Sequence, residues 1–207
     1  MRIPVAAEGW PLIFPPAAAA CILAVMGWWT AAGACAAPAL AFLGFFRDPE
    51  RRPPDLPGAV LAPADGKVME VVHIDDAWVG AAVRVSIFLS PLDVHINRAP
   101  VAGLVASVER SAGKFRAAYK AEASETNERC TMALEGPRRV AVRQIAGVLA
   151  RRIVCRARIG DTLAAGERYG LIRFGSRTDL LVPRSTELRV QVGDRVKGGE
   201  SIMGVLR

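Results

Sequence analysis

From Gly9 to Phe46 the chain carries no charged residue, and apart from Arg2 and Glu8 every charge lies at Arg47 or later. A chain divided in this way is expected to be an anchor followed by a folded domain. The apolar stretch from Trp10 to Phe46 exceeds the roughly 20 residues that cross a hydrocarbon core once. It is also interrupted by Pro15, Pro16, Gly27, Gly33 and Pro38. A tight helical hairpin and a tilted helix followed by a re-entrant piece both fit that pattern. Trp10, Trp28 and Trp29 suit interfacial positions, and Arg47, Arg51 and Arg52 would keep the C-terminal flank on the cytoplasmic side. Residues 1–46 are therefore expected to form a membrane-associated helical segment. A secretory signal peptide competes, because Ala34-Cys35-Ala36 resembles a small-residue cleavage site. Against it, Arg2 is the only positive charge before the apolar run, and Glu8 opposes it.

Residues 47–58, RDPERRPPDLPG, are rich in proline and charge and read as a linker. Beyond them, from 59 to 207, short runs of branched residues alternate with turn signals, as in Val68 to Ile74, Val83 to Leu89, Val101 to Val108 and Val140 to Ile145. Such spacing predicts a mainly β domain, an antiparallel sandwich or barrel. Lys114 to Glu128, which includes Phe115, Tyr119 and Asn127, is the helical or loop-like exception. Two stretches, IGDTLAAGERYGLI at 159–172 and VGDRVKGGESIMGVL at 192–206, place Gly160/Gly193, Asp161/Asp194, Gly166/Gly199 and Glu167/Glu200 at a constant offset. Each reads as turn, strand, turn, strand, similar to the paired units of the lipoyl and biotinyl carrier fold. Two independent turns of one type would look the same. No lysine stands at a hairpin tip between the copies, so a swinging-arm carrier is not expected.

Arg2 and Glu8 cancel, so the net charge of +7 belongs to the folded domain, and with a pI of about 9.8 it suits an anionic lipid surface. Scattered pairs such as Arg138-Arg139 and Arg151-Arg152, without interleaved aromatics, argue against nucleic acid. Cys21, Cys35, Cys130 and Cys155 lack metal-knuckle or redox spacing and are expected to be unpaired thiols; no metal is expected.

The stretch RFGSRTDLLVP at 173–183 sets Gly175-Ser176 between two strand-like runs, Tyr169 to Phe174 and Asp179 to Val182. Glycine can take dihedrals that let the serine hydroxyl turn back on the carbonyl of residue 175. Attack there converts the amide to an ester. β-Elimination from the ester leaves dehydroalanine, which hydrolyses to an N-terminal pyruvoyl group and ammonia. Gly-Ser alone is more often a plain turn.

Four motifs in order add to it: PADGKV at 63–68, FLSPLDVHINRAPV at 88–101, GKF and NER at 113–115 and 127–129, and RFGSR-x-D-x-x-x-P at 173–183. With these, residues 45 to 207 resemble the phosphatidylserine decarboxylases, in their short bacterial and archaeal form. The resemblance implies self-cleavage at Gly175-Ser176 into a β chain, 1–175, and an α chain, 176–207, held as a heterodimer and open to further oligomerisation. It implies a covalent pyruvoyl cofactor derived from Ser176, and decarboxylation of membrane phosphatidylserine to phosphatidylethanolamine and CO2 at the cytoplasmic face.

Ser176, His95 and Asp65 would then be catalytic, with Asp65 orienting an imidazole that activates the serine. Arg98, Lys114 and Arg177 become candidate substrate contacts to phosphate or carboxylate. Longer members carry two histidines in D-x-H-x-x-H. Here Arg98 stands where the second would be, after Asp93 and His95, so the base for self-cleavage stays open between His95 and backbone strain assisted by Asp65. The other histidine, His73, reads as a surface residue. A membrane-anchored adaptor with a carrier-like β domain is the alternative function, though no heptad-patterned hairpin accompanies it. Two histidines without paired cysteines are too few for a zinc peptidase.

Overall fold

The computed structural model describes residues 4–116, 123–147, 152–173 and 176–207. The chain divides into two compact units, Met1–Glu50 and Arg51–Arg207.

In the first unit, helices α1 (Trp10–Val25) and α2 (Trp29–Phe45) pack on each other as a hairpin. The turn between them needs a left-handed residue, and Gly27 supplies it with φ of 79°. The expected proline interruptions are absent: Pro15, Pro16 and Pro38 all lie inside the helices. Each proline deletes a single backbone bond. In a stretch with almost no polar side chains, a helix remains the local form that pairs the other N–H groups. Ala7–Val25 is long and apolar enough to cross a membrane by length and composition, whereas Trp29–Phe45 is apolar but shorter. Neither helix has a polar face: Phe14, Ile22, Val25, Trp29 and Leu40 are exposed. Backbone bonds from Ala6 to Phe46 (2.8 Å) and from Asp48 to Pro4 (2.7 Å) tie the two ends of the hairpin together.

The second unit is built from β1 (Ala59–Leu61), β2 (Gly66–Asp76), β3 (Gly80–Leu89), β4 (Ile96–Arg98), β5 (Gly103–Ser111), β6 (Arg129–Glu135), β7 (Val140–Ile145), β8 (Ile153–Cys155), β9 (Thr162–Leu163), β10 (Arg168–Ile172), β11 (Ser176–Pro183), β12 (Glu187–Leu188), β13 (Arg195–Val196) and β14 (Ile202–Val205), with a short helix α3 (Ala123–Thr126) after β5. Among the described residues these strands form an eight-stranded sheet, β13-β2-β3-β11-β7-β6-β5-β9, and two three-stranded sheets, β1-β14-β12 and β4-β10-β8. The pairings between these strands are antiparallel. The mainly β, antiparallel domain expected from the alternating pattern is therefore present.

Val68, Val85, Ile87, Met132, Val142 and Leu180 of the large sheet meet Val60, Tyr169 and Met203 of the small ones in one core. Cys130 is buried, Cys155 packs against the same cluster, and all four cysteines are free. His73 is exposed on β2.

The two Gly-Asp units occupy equivalent surroundings. Gly160 N donates to Val105 O and Val105 N to Asp161 O (2.9 and 2.8 Å). Gly193 N donates to Val68 O and Val68 N to Asp194 O (2.9 Å each). Gly166 N and Gly199 N likewise donate to Ala99 O and Ala62 O, both at 2.8 Å. These acceptors expose a second repeat, Ala62-Pro63-Ala64-Asp65-Gly66-Lys67-Val68 against Ala99-Pro100-Val101-Ala102-Gly103-Leu104-Val105. Each half of the arrangement thus pairs one Ala-Pro segment with one Gly-Asp segment. The halves meet at Gly166 and Gly199, both at positive φ: a Cβ on Gly166 would lie 3.5 Å from Gly199 O, and one on Gly199 2.7 Å from Arg98 Cδ.

Candidate active site

Ser176 opens β11, opposite Leu89 at the end of β3. The sequence pattern starts this strand at Asp179, because Ser-Arg-Thr-Asp is an unlikely run for a buried strand. The difference has a physical cause, since the charges of Arg177 and Asp179 neutralise each other on one strand face (Nε to Oδ1, 2.7 Å). Ser176 is fully buried, and its Oγ has no hydrogen-bond partner among the described residues. A buried hydroxyl in that state costs about 1–3 kcal/mol and asks for a reason beyond packing. Gly175, the other half of the expected cleavage bond, and Phe174 before it lie outside the described residues.

His95 precedes β4 and is 2 % exposed. Ile172 N donates to its carbonyl over 3.3 Å, which sets His95 beside the last residue of β10, at the same joint that Ser176 leaves. Its Nδ1 is 2.9 Å from Asp93 O. A carbonyl oxygen only accepts, so Nδ1 carries the hydrogen and the neutral ring holds its lone pair on Nε2.

A buried amide network that sequence reasoning missed joins the strands that follow these two residues. Asn97 Nδ2 donates to Thr178 Oγ1 (3.1 Å) and to Pro63 O (3.4 Å). Gln144 Nε2 donates to Asn97 Oδ1 (2.8 Å) and to Val154 O (3.3 Å). Asn97, Gln144 and Thr178 are all fully buried. Strand alternation puts Asn97 on the side of β4 that continues His95, and Thr178 on the side of β11 that continues Ser176. The one available signal was the crowding of Asp93, His95, Asn97 and Arg98 into six residues.

Asp65 is placed differently from the expected pairing with an imidazole. Its Oδ1 accepts from Gly198 N (2.7 Å) and its Oδ2 from Arg51 Nη2 (2.9 Å), while Arg51 Nη1 also binds Glu200 Oε2 (2.9 Å). The imidazole is oriented instead by the Asp93 carbonyl. Burial pushes the Asp65 carboxyl above its ordinary value, against the Gly198 N–H and the Arg51 guanidinium, and the Asp93 charge adds to the rise. Arg51, read from the sequence as a flank of the apolar segment, thus belongs to the β unit.

The three candidate substrate contacts separate. Arg177 is 1 % exposed and is used within the sheet: besides Asp179 it reaches Glu70 Oε2 (2.8 Å) and Ser86 Oγ (2.6 Å). Asp179 in turn accepts from Ser124 Oγ at 2.7 Å. Arg98 is also buried and donates to Gly166 O over 3.0 Å, beside the glycine contact described above. Arg177 and Arg98 thus hold the fold together in this state of the chain. Lys114 is exposed, with its backbone bridged to Thr126 and Glu128 (2.8 and 3.0 Å). Next to it, the fully buried Asn127 donates to Arg116 O and Ala146 O (2.7 and 2.8 Å) and accepts from Arg116 N, fastening the GKF segment to the end of β7. Tyr119 lies outside the described residues.

Comparison with known proteins gives the family. A family model described as phosphatidylserine decarboxylase matches residues 39–204. A phosphatidylserine decarboxylase proenzyme of Nocardia farcinica is 48 % identical over 98 % of this chain and 88 % of its own length. Proenzymes of the same name from Symbiobacterium thermophilum (47 %, covering 100 % of this chain and 98 % of its own) and Desulfotalea psychrophila (42 %, covering 98 % and 97 %) are similar along nearly their whole lengths. With the match spanning both the Ser176 joint and the His95 turn, the chain belongs to the phosphatidylserine decarboxylase family.

Proposed function

We propose that this protein is a proenzyme that cuts itself between Gly175 and Ser176 and then decarboxylates phosphatidylserine to phosphatidylethanolamine and CO2. The observation that carries the reading is the buried Ser176 Oγ, without a partner among the described residues, at the first position of a strand fixed on both sides. In the cut, Oγ attacks the Gly175 carbonyl, its proton passes to the Ser176 nitrogen, and an ester replaces the amide. Loss of the Ser176 Cα proton then expels the Gly175 carboxylate, and water releases ammonia to leave the pyruvoyl group. We assign to the His95 Nε2 lone pair the task of taking the serine proton.

Once formed, the pyruvoyl group supplies a ketone for the substrate amine and a sink for the electron pair left by CO2. The chain's own part is to hold that terminus, exclude water and return a proton to the substrate Cα, which we assign to His95. Asp65 acts through position: it fixes Gly198 of the α chain against Arg51 of the β chain. The heterodimer of residues 1–175 and 176–207 is held because β11 is paired with both β3 and β7. We read the paired Ala-Pro and Gly-Asp segments as a carrier-like sandwich, and the apolar hairpin as an anchor that leaves the β unit at the cytoplasmic face of the cell membrane.

Intact-mass measurement of the purified protein tests the cut: two pieces ending at 175 and starting with pyruvoyl at 176 are expected, and a single piece from Ser176→Ala. A Ser176→Ala protein that still splits at this bond sinks the mechanism. CO2 release from phosphatidylserine vesicles, and none from free serine, tests the substrate.

A further inference from the structure

The turn Ser90–Asp93 follows β3 directly, so it stands at the end of the sheet where Leu89 pairs with Ser176. Its tip is apolar and outward: Pro91 is exposed and Leu92 is 83 % exposed, the highest value for a large apolar side chain described in the Arg51–Arg207 unit. The tip is also held rigidly. Asp93 N donates to Ser90 O (2.9 Å), Ser90 N to Asp93 Oδ2 (2.8 Å), and Leu92 N to Ser90 Oγ (3.3 Å). From outside the turn, Arg195 Nη1 grips Asp93 Oδ1 at 3.2 Å.

A single exposed leucine is ordinary on a protein surface. A leucine pinned outward by a closed turn, with cations beside it and the active imidazole hydrogen-bonded to the same turn, is a different case. Arg195 is 71 % exposed, and it pairs on β2 with Lys67, itself exposed and opposite Phe88 near the end of β3. The opposite side of the turn leads into the buried Val94 and His95, whose Nδ1 is fixed to Asp93 O.

We propose that the Ser90–Asp93 turn is the β unit's contact with an anionic phospholipid bilayer. Pro91 and Leu92 enter the boundary between head groups and acyl chains, and Lys67 and Arg195 lie against lipid phosphates. The head group of a lipid still seated in the bilayer then arrives at the end of the sheet that holds His95 and Ser176. This rests on the decarboxylase reading, and it assigns the delivery step to four residues outside the chemistry.

The test compares two forms of substrate on the full-length, self-cleaved enzyme: long-chain phosphatidylserine in phosphatidylcholine and phosphatidylglycerol vesicles, and short-chain phosphatidylserine dispersed below its aggregation limit. Leu92→Glu and Lys67→Glu should cleave as the parent does and turn over the dispersed lipid within about two-fold of it, while vesicle kcat/KM falls on the order of ten-fold for Leu92→Glu. Leu92→Phe should restore vesicle activity. An equal fall on both substrates, an uncut Leu92→Glu chain, or an unchanged vesicle rate each overturns the proposal. A parent enzyme that cuts itself but releases CO2 from neither lipid overturns the decarboxylase reading instead.

Discussion

Asn97 and Thr178 are joined side chain to side chain across two sheets, Nδ2 to Oγ1 at 3.1 Å, with both residues fully buried. One stands two positions after His95 and the other two positions after Ser176, so this bond sets the register between the imidazole and the serine.

Thr178→Val keeps the branched shape and removes the hydroxyl. Asn97 Nδ2 then retains only the longer bond to Pro63, and the variant should lose about 1–3 kcal/mol of stability. Self-cleavage, followed by intact mass over hours, should slow by more than this loss explains, and Thr178→Ser should restore it.

His95→Ala separates the two proton transfers. Chain cleavage should persist at a reduced rate, because a glycine before the serine leaves the backbone free to reach the geometry of the acyl shift without a dedicated base. Decarboxylation by the matured protein should fall by about 10² to 10⁴, the range for losing a general acid. Chain mass and CO2 release from vesicles, measured on the same sample, check both.

Arg177→Leu should be among the most damaging changes in the domain. It leaves Asp179, which is fully buried, with its nearest cation withdrawn, for which about 3–5 kcal/mol is typical. Measuring unfolding on a Ser176→Ala background keeps the chain in one piece and makes the comparison clean. Were Arg177 chiefly a substrate contact, stability would hold and only KM would rise.

Asp65 gives a pH-dependent signature. Its folded-state value is raised, so the unfolded chain ionises first as pH climbs. The stability that this group contributes is complete below about pH 4, the ordinary aspartate value, and is lost as pH rises through the raised value. Asp65→Asn keeps the acceptor for Gly198 N and removes the titration. Urea unfolding of both proteins at about pH 4 and pH 7 should therefore show a smaller fall with pH in the variant.

The β domain and its Ser176 joint were legible because both write themselves locally: branched runs between turn residues, and a Gly-Ser step between strands. The roles of Arg98 and Arg177 were not legible, because arginine in a loop-like sequence looks the same whether it faces a phosphate or neutralises a buried carboxylate. Only the fold brings Glu70, Ser86 and Asp179 around Arg177. Asp65 misled for the same reason, since its partners at Gly198 and Arg51 come from opposite ends of the domain. The second repeat was not legible because it survives at only four positions, Ala62/Ala99, Pro63/Pro100, Gly66/Gly103 and Val68/Val105, all common residue types. The prolines of the apolar hairpin suggested breaks, since chain-local rules weigh the missing N–H and not the lack of any alternative pairing for its neighbours.

The position of β11 between β3 and β7 also governs when the chain can become active. Ser176 meets Leu89, and Arg177 meets Ile145, only after segments far apart in sequence have found each other, and such distant pairings are late events in folding. On the self-cleavage proposed above, a nascent or misassembled chain would have the serine but not its surroundings, and would stay uncut. Formation of the reactive carbonyl would in this sense be a certificate of completed assembly: each molecule would acquire an electrophile only after its own architecture had passed inspection.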